Sequence, residues 1–137
     1  MTQEEKDLLL KDLCSRLPYR VKLQKTYDTS EPPAELYSID LENSIIKFYK
    51  YKGNALTIGD AGFIEKYGKL RFKPYLFPLS SMTEEQRKEW LSLMIKDSYG
   101  ILYPTIESFD YLYKNHIDVR GFIEKDLAID ATGLNIY

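Results

Sequence analysis

The segment Phe72-Lys73-Pro74-Tyr75-Leu76-Phe77-Pro78-Leu79-Ser80-Ser81-Met82-Thr83-Glu84-Glu85-Gln86 constrains this chain more than any other. Two prolines remove two amide donors and fix two φ angles, which favours an extended path through Phe77. Shortly afterwards Thr83 and Gln86 stand at capping-box spacing, where the Thr hydroxyl accepts an amide of the first turn and the Gln side chain reaches back to the cap. The apolar pattern also changes here, from strand-like and tyrosine-rich before the segment to helical after it. Strands followed by helices predict an α+β domain.

Before the boundary, Thr2 and Glu5 form a first capping-box match. Leu10, Leu13, Cys14 and Leu17 then recur on one helical face, flanked by Leu9, and Pro18 ends the helix. Tyr19, Val21 and Leu23 alternate with Arg20, Lys22 and Gln24 as a half-buried strand does. Thr29-Ser30-Glu31-Pro32-Pro33 is a loop. Leu36–Leu41 and Ser44–Tyr51 read as strands joined by a hairpin at Glu42-Asn43. Lys52-Gly53-Asn54 turns into a strand at Ala55–Ile58, which Gly59-Asp60-Ala61-Gly62 is expected to break. Leu70-Arg71-Phe72-Lys73 is the last expected strand.

Beyond the boundary, Trp90, Leu91, Met94 and Ile95 give the helix a broad apolar face, with Gly100 and Pro104 bounding its end. Ile106, Phe109, Leu112, Tyr113 and His116 continue at helical spacing. Asp118 is placed to cap a short fourth turn before Leu127-Ala128-Ile129. The predicted architecture is a small antiparallel sheet of about four strands, packed with an N-terminal helix and two to three C-terminal helices, in one domain over residues 1–137. Leu10, Leu13, Leu17, Trp90, Met94, Phe109 and Leu112 are the expected helical core. The pentapeptide Gly62-Phe63-Ile64-Glu65-Lys66 recurs as Gly121-Phe122-Ile123-Glu124-Lys125, but the match stops at both ends, where a structural repeat would continue.

The sequence of 137 residues has a net charge of -2, unevenly spread. Residues 1–43 carry six basic and nine acidic groups, residues 44–75 seven and two, and residues 76–137 six and ten, so the middle third is a basic island. Twelve tyrosines accompany it against one Trp. No apolar run approaches the roughly 18 residues that cross a bilayer, and the acidic N-terminus is unlike a signal peptide, which predicts a cytoplasmic protein with no membrane partner.

The opening Met1-Thr2-Gln3-Glu4-Glu5-Lys6-Asp7-Leu8-Leu9-Leu10-Lys11-Asp12-Leu13-Cys14-Ser15-Arg16-Leu17-Pro18-Tyr19, the central Lys73–Gln86 and the late Asp118-Val119-Arg120-Gly121-Phe122-Ile123-Glu124-Lys125 resemble a family of small uncharacterised proteins. These are widespread in gut Bacteroidetes and their phages or other mobile elements. The likeness touches both ends and the middle and leaves residues from about Lys25 to Leu70 outside it. It implies a bacterial cytoplasm and an accessory gene of a mobile element, and it carries over no catalytic or binding residue.

The inventory of reactive groups is short. Cys14 is the single cysteine, so no internal disulfide forms, and its place on an apolar stripe predicts a buried structural thiol. His116 is the single imidazole; Asp110 points elsewhere on the helix, and a helix-end role explains the histidine without chemistry. Glu84-Glu85 complements the dipole of its helix. The glycines at 59 and 62 lack the spacing of a phosphate-binding loop. No cofactor, metal or catalytic residue is expected.

The basic island is the candidate surface. Lys47, Tyr49 and Tyr51 share one strand face, Phe48, Lys50 and Lys52 the other, and Lys69, Arg71 and Lys73 add charge nearby. Cations beside stackable rings suit single-stranded nucleic acid, although no RNP1 pattern is present. They also suit an acidic protein partner. The same composition arises where tyrosine simply favours strands and lysine keeps edges soluble. The sequence thus predicts a non-enzymatic interaction module that binds a protein partner through Lys47, Tyr49, Lys50, Tyr51 and Arg71. A single-stranded nucleic-acid-binding accessory protein is the alternative, and an enzyme with an unrecognised carboxylate site ranks third. Oligomeric state is not legible.

Overall fold

A computed structural model describes residues 1–52, 55–64 and 69–137, with side chains at all of these except Tyr51, Lys52, Ala55 and Asp60. The expected turn at Lys52-Gly53-Asn54 and the end of the first pentapeptide lie outside the described residues. Helix α1, Gln3–Arg16, begins at the capping box of Thr2 and Glu5, with both reciprocal hydrogen bonds made. Leu9, Leu10 and Leu13 carry its buried stripe, while Cys14 and Leu17 are half-buried at its margin. Pro18 does not end the chain's helical path at once. It initiates a short 3-10 turn, Leu17–Tyr19, which closes on Arg20 at φ 54.

Among the described residues six strands form one sheet: β1 Lys22–Lys25, β2 Ala34–Asp40, β3 Ile45–Lys52, β4 Ala55–Gly62, β5 Phe72–Leu76 and β8 Ile129–Asp130, in the order β4-β3-β2-β1-β5-β8. Neighbours are antiparallel except β5 and β8, which pair in parallel. The expectation of about four antiparallel strands is corrected to a mixed sheet of six, because a two-residue strand such as β8 has no readable period. Leu23, Leu36, Ile46, Phe48 and Phe72 line the face that meets α1. A bulge at Tyr37 sets the register: Leu36 faces Phe48 and Ile39 faces Ile46, so the extra residue keeps both Leu36 and Ile39 against the core.

The glycines expected to break β4 instead continue it. Gly59 lies opposite Phe48, and a Cβ there would stand 2.8 Å from the Phe48 ring. The missing side chain is the space the ring occupies, a close approach that only glycine allows. Pro74, expected in a crossing segment, lies inside β5 opposite Leu23.

The second half departs further. Helix α2, Glu84–Ser92, has its predicted capping box but no buried residue, and it ends well before Gly100. A two-stranded hairpin follows, β6 Ile95–Lys96 with β7 Leu102–Tyr103, then helix α3, Ile106–Lys114. The predicted apolar face of Trp90, Leu91, Met94 and Ile95 is therefore split between a helix end and a strand. Trp90 and Met94 are half-buried, and Leu91 and Ile95 are exposed. Phe109 is 43% exposed, against its expected burial, and Leu112 alone of α3's apolar stripe enters a core. That core is small: Met82, Leu112 and Ile117, with Phe77, Trp90, Tyr111 and Val119 packed on it.

The segment after α3 ties both cores to the sheet. Phe77 donates its amide to the His116 carbonyl and accepts the Asp118 amide, which extends the β5 edge. Asp118 accepts the amides of Phe122 and Ile123, so its predicted capping of a short turn is made. The two pentapeptides differ in backbone, since Gly121 has φ 72 and Gly62 ends a strand, yet Phe63 and Phe122 reach the same core.

Candidate functional site

Among the described residues the most exposed apolar side chains fall in the short stretch from the end of α2 to the start of α3. Tyr99 is 88% exposed, Ile106 85% and Ile95 63%, with Ile101, Leu102, Tyr103 and Phe109 exposed beside them. Both strands of the hairpin lack any buried residue. An isolated two-stranded hairpin is marginal in water, so its order needs another source.

Asp97 supplies that order. Its carboxylate accepts the amides of Tyr99 and Ile101, each at 2.9 Å, and the Tyr103 hydroxyl at 3.0 Å. The Asp97 amide donates to the Ile101 carbonyl, and Gly100 takes φ 83 to close the turn. These bonds, led by the Ile101 amide, hold the Asp97 carboxyl below its ordinary pKa. At the hairpin's base Thr105 caps α3 in a reciprocal box with Ser108, while its hydroxyl donates to the Leu93 carbonyl at 2.6 Å. The Tyr111 hydroxyl donates to Glu89 at 2.9 Å, which links α3 to α2, and burial with this bond pushes its pKa up to about 12. Exposed apolar side chains therefore stand on a backbone that is already fixed.

The second exposed surface is the sheet face turned away from α1. Tyr37, on its bulge, meets Tyr49 edge to face at 4.9 Å between centroids. Ile58 lies opposite Tyr49, and Lys47 shares the face. Of the residues expected to bind, Lys47 and Tyr49 thus come together. Lys50 falls on the opposite face, in register with Thr57, and the Tyr51 side chain lies outside the described residues. Arg71 precedes β5, which two strands separate from β3, or about 14 Å at normal strand spacing. Its guanidinium stacks 4.9 Å from the Tyr27 ring centroid.

Other expected candidates are engaged in the fold. The Cys14 thiol is raised in pKa by burial, which disfavours the reactive thiolate. His116 stacks on Tyr137 at 3.7 Å, and burial followed by the nearby Arg16 and Lys22 charges lowers its pKa to about 4. Asp110 accepts the Tyr19 hydroxyl. Among the described residues no three His, Cys, Asp or Glu side chains converge on a metal-sized site.

Sequence reasoning missed the hairpin surface, although Asp97-Ser98-Tyr99-Gly100 has the Asp-first, Gly-fourth form of a type I turn. The helical spacing of Trp90, Met94 and Ile95 concealed it. No helix among the described residues is long and apolar enough to cross a membrane. Set against family models, curated proteins and solved structures, the chain matches none of them.

Proposed function

We propose that this chain is a non-catalytic protein-binding module whose principal contact is the apolar face of the β6–β7 hairpin and the first turn of α3. The observation that carries it is the near-complete exposure of Tyr99 and Ile106 on backbone fixed by Asp97 and Thr105. Large apolar side chains held out in water are the kind a partner covers, and a loop ordered in advance loses less entropy on binding. Tyrosine adds large contact area with few rotors. The uncovered sheet face with Tyr37, Tyr49 and Lys47 is a second contact area of the same kind. The cellular setting in this proposal is the bacterial cytoplasm that the family resemblance implies.

Single-stranded nucleic acid is the second reading, favoured by the Tyr37–Tyr49 pair beside Lys47. Lys50 and Arg71 do not join that face, which leaves few cations to track phosphates. Photo-crosslinking in cells of the source organism separates the two, with benzophenylalanine placed at position 99 or at position 49. A discrete protein adduct from position 99 that persists after nuclease treatment is the expected result. Adducts only from position 49 that nuclease abolishes would overturn the proposal in favour of the second reading.

A further inference from the structure

β4 is an edge of the sheet, with β3 on one side and no strand on the other among the described residues. The Phe63 amide donates to the Ser44 carbonyl in register with the β3–β4 ladder, which makes those two residues a hydrogen-bonded pair. Such pairs alternate along an antiparallel ladder, so Thr57, Gly59 and Ala61 direct their backbone groups at β3. Leu56, Ile58, Asp60 and Gly62 direct theirs away from the sheet. This edge meets other backbone only beyond its end, where the Arg71 amide donates to the Phe63 carbonyl and Ile64 bridges Leu70.

Natural sheets blunt a free edge with a short strand, a bulge, proline or lysine. The opposite edge follows that rule, since β8 has two residues. β4 does not: it has eight residues, an unbroken register against β3, and neither proline nor a basic residue. Leu56 and Ile58, whose backbone groups point outward, are 53% and 55% exposed. Unpaired ladder groups flanked by apolar side chains fit one more extended strand.

We propose that this strand is β4 of a second copy of the chain, paired antiparallel across a two-fold axis at Thr57. Backbone groups of the two strands meet only where an outward-directed residue stands opposite another. The axis at Thr57 satisfies this condition. Leu56 then stands opposite Ile58 of the second copy, and Ile58 opposite its Leu56, each pair exchanging both backbone hydrogen bonds. Apolar side chains meet on the outer face, and the two Thr57 residues form a cross-strand pair on the other. No like charges are opposed in these pairs. A foreign strand would need a matching apolar alternation, which a second copy supplies by symmetry. Contact between two strands is smaller than the roughly 1,200 Å² of a stable interface, so the association is reversible. It joins the Tyr37 and Tyr49 faces of two copies into one sheet surface and is independent of the protein-binding hairpin.

The test is sedimentation velocity with amide hydrogen exchange on the full chain, from about 5 µM to about 1 mM. The expected result is a monomer that becomes a dimer as concentration rises. Exchange at the Leu56 and Ile58 amides should slow about tenfold, while the Gly59 amide, already bonded to β3, changes little. Ile58→Pro removes an outward donor and no bond to β3, and Leu56→Lys with Ile58→Lys opposes like charges across the axis. Each variant should stay monomeric over the same range, and the lysine variant decides where the proline variant unfolds. A monomer at every concentration, a dimer that survives in the folded variants, or a dimer without slowed exchange at Leu56 and Ile58 would each overturn the assignment.

Discussion

Arg16 is fully buried, and so is the Asp12 carboxylate that holds it. The Arg16 Nε donates to Asp12 at 2.6 Å, a terminal nitrogen donates to the Ile117 carbonyl at 2.7 Å, and the guanidinium stacks 5.0 Å from the Tyr113 ring centroid. One side chain thus fastens α1 to the segment beyond α3. Removing one partner of a buried pair strands the other charge, which is far more costly than replacing both. Arg120 Nε also stands 3.5 Å from Asp12. Arg16→Met should therefore lower unfolding free energy by about 3 kcal/mol in urea melts, the low end for a broken buried pair. Adding Asp12→Leu should recover only part of it, because Arg120 then loses its carboxylate. His116 is a second such residue. Its pKa of about 4 means that the unfolded chain takes up the proton first as pH falls below 6.5. Stability from the neutral, Tyr137-stacked imidazole is therefore complete above 6.5 and is lost as pH falls toward about 4. Proton NMR of the lone histidine should give a midpoint near 4, and one near 6.5 would contradict its burial.

At the scale of elements, what the sequence made legible was local. Capping boxes at Thr2 and Thr83 require only residues three apart, and both are formed. Gly59 was misread because its role depends on Phe48, a residue on another strand that the local pattern does not contain. Gly59→Val should destabilise by about 1–3 kcal/mol, the cost of overpacking a filled site, and pairing it with Phe48→Leu should relieve part of that cost. The hairpin was misread because its apolar residues also fit helical spacing, and only Asp97 with Gly100 distinguishes the two. Asp97→Ala should speed hydrogen exchange at the amides of Tyr99 and Ile101 while leaving the global melt nearly unchanged, since the hairpin touches neither core. Acid should act in the same direction. The Asp97 pKa is lowered, so the order it gives the loop is complete above the ordinary carboxylate pKa and is lost progressively as pH falls below it.

At the scale of the whole molecule, one large core under the sheet and one small core beneath α2 and α3 leave the apolar residues of the hairpin without a place inside. The paired basic and tyrosine positions of β3 were legible as a surface, because alternation places Lys47 and Tyr49 together and away from Phe48. That Arg71 belongs elsewhere was not legible, since strand order is decided by long-range pairing. The central claim is that the hairpin face binds a protein and does not serve the fold. Its most direct test is calorimetric titration of the partner recovered by cross-linking at position 99 against wild type and the Tyr99→Ala/Ile106→Ala variant. The double variant should keep its unfolding free energy within about 0.5 kcal/mol and bind about 100-fold more weakly, as expected for loss of central apolar anchors. Unchanged affinity, or a stability loss of about 2 kcal/mol or more, would contradict it.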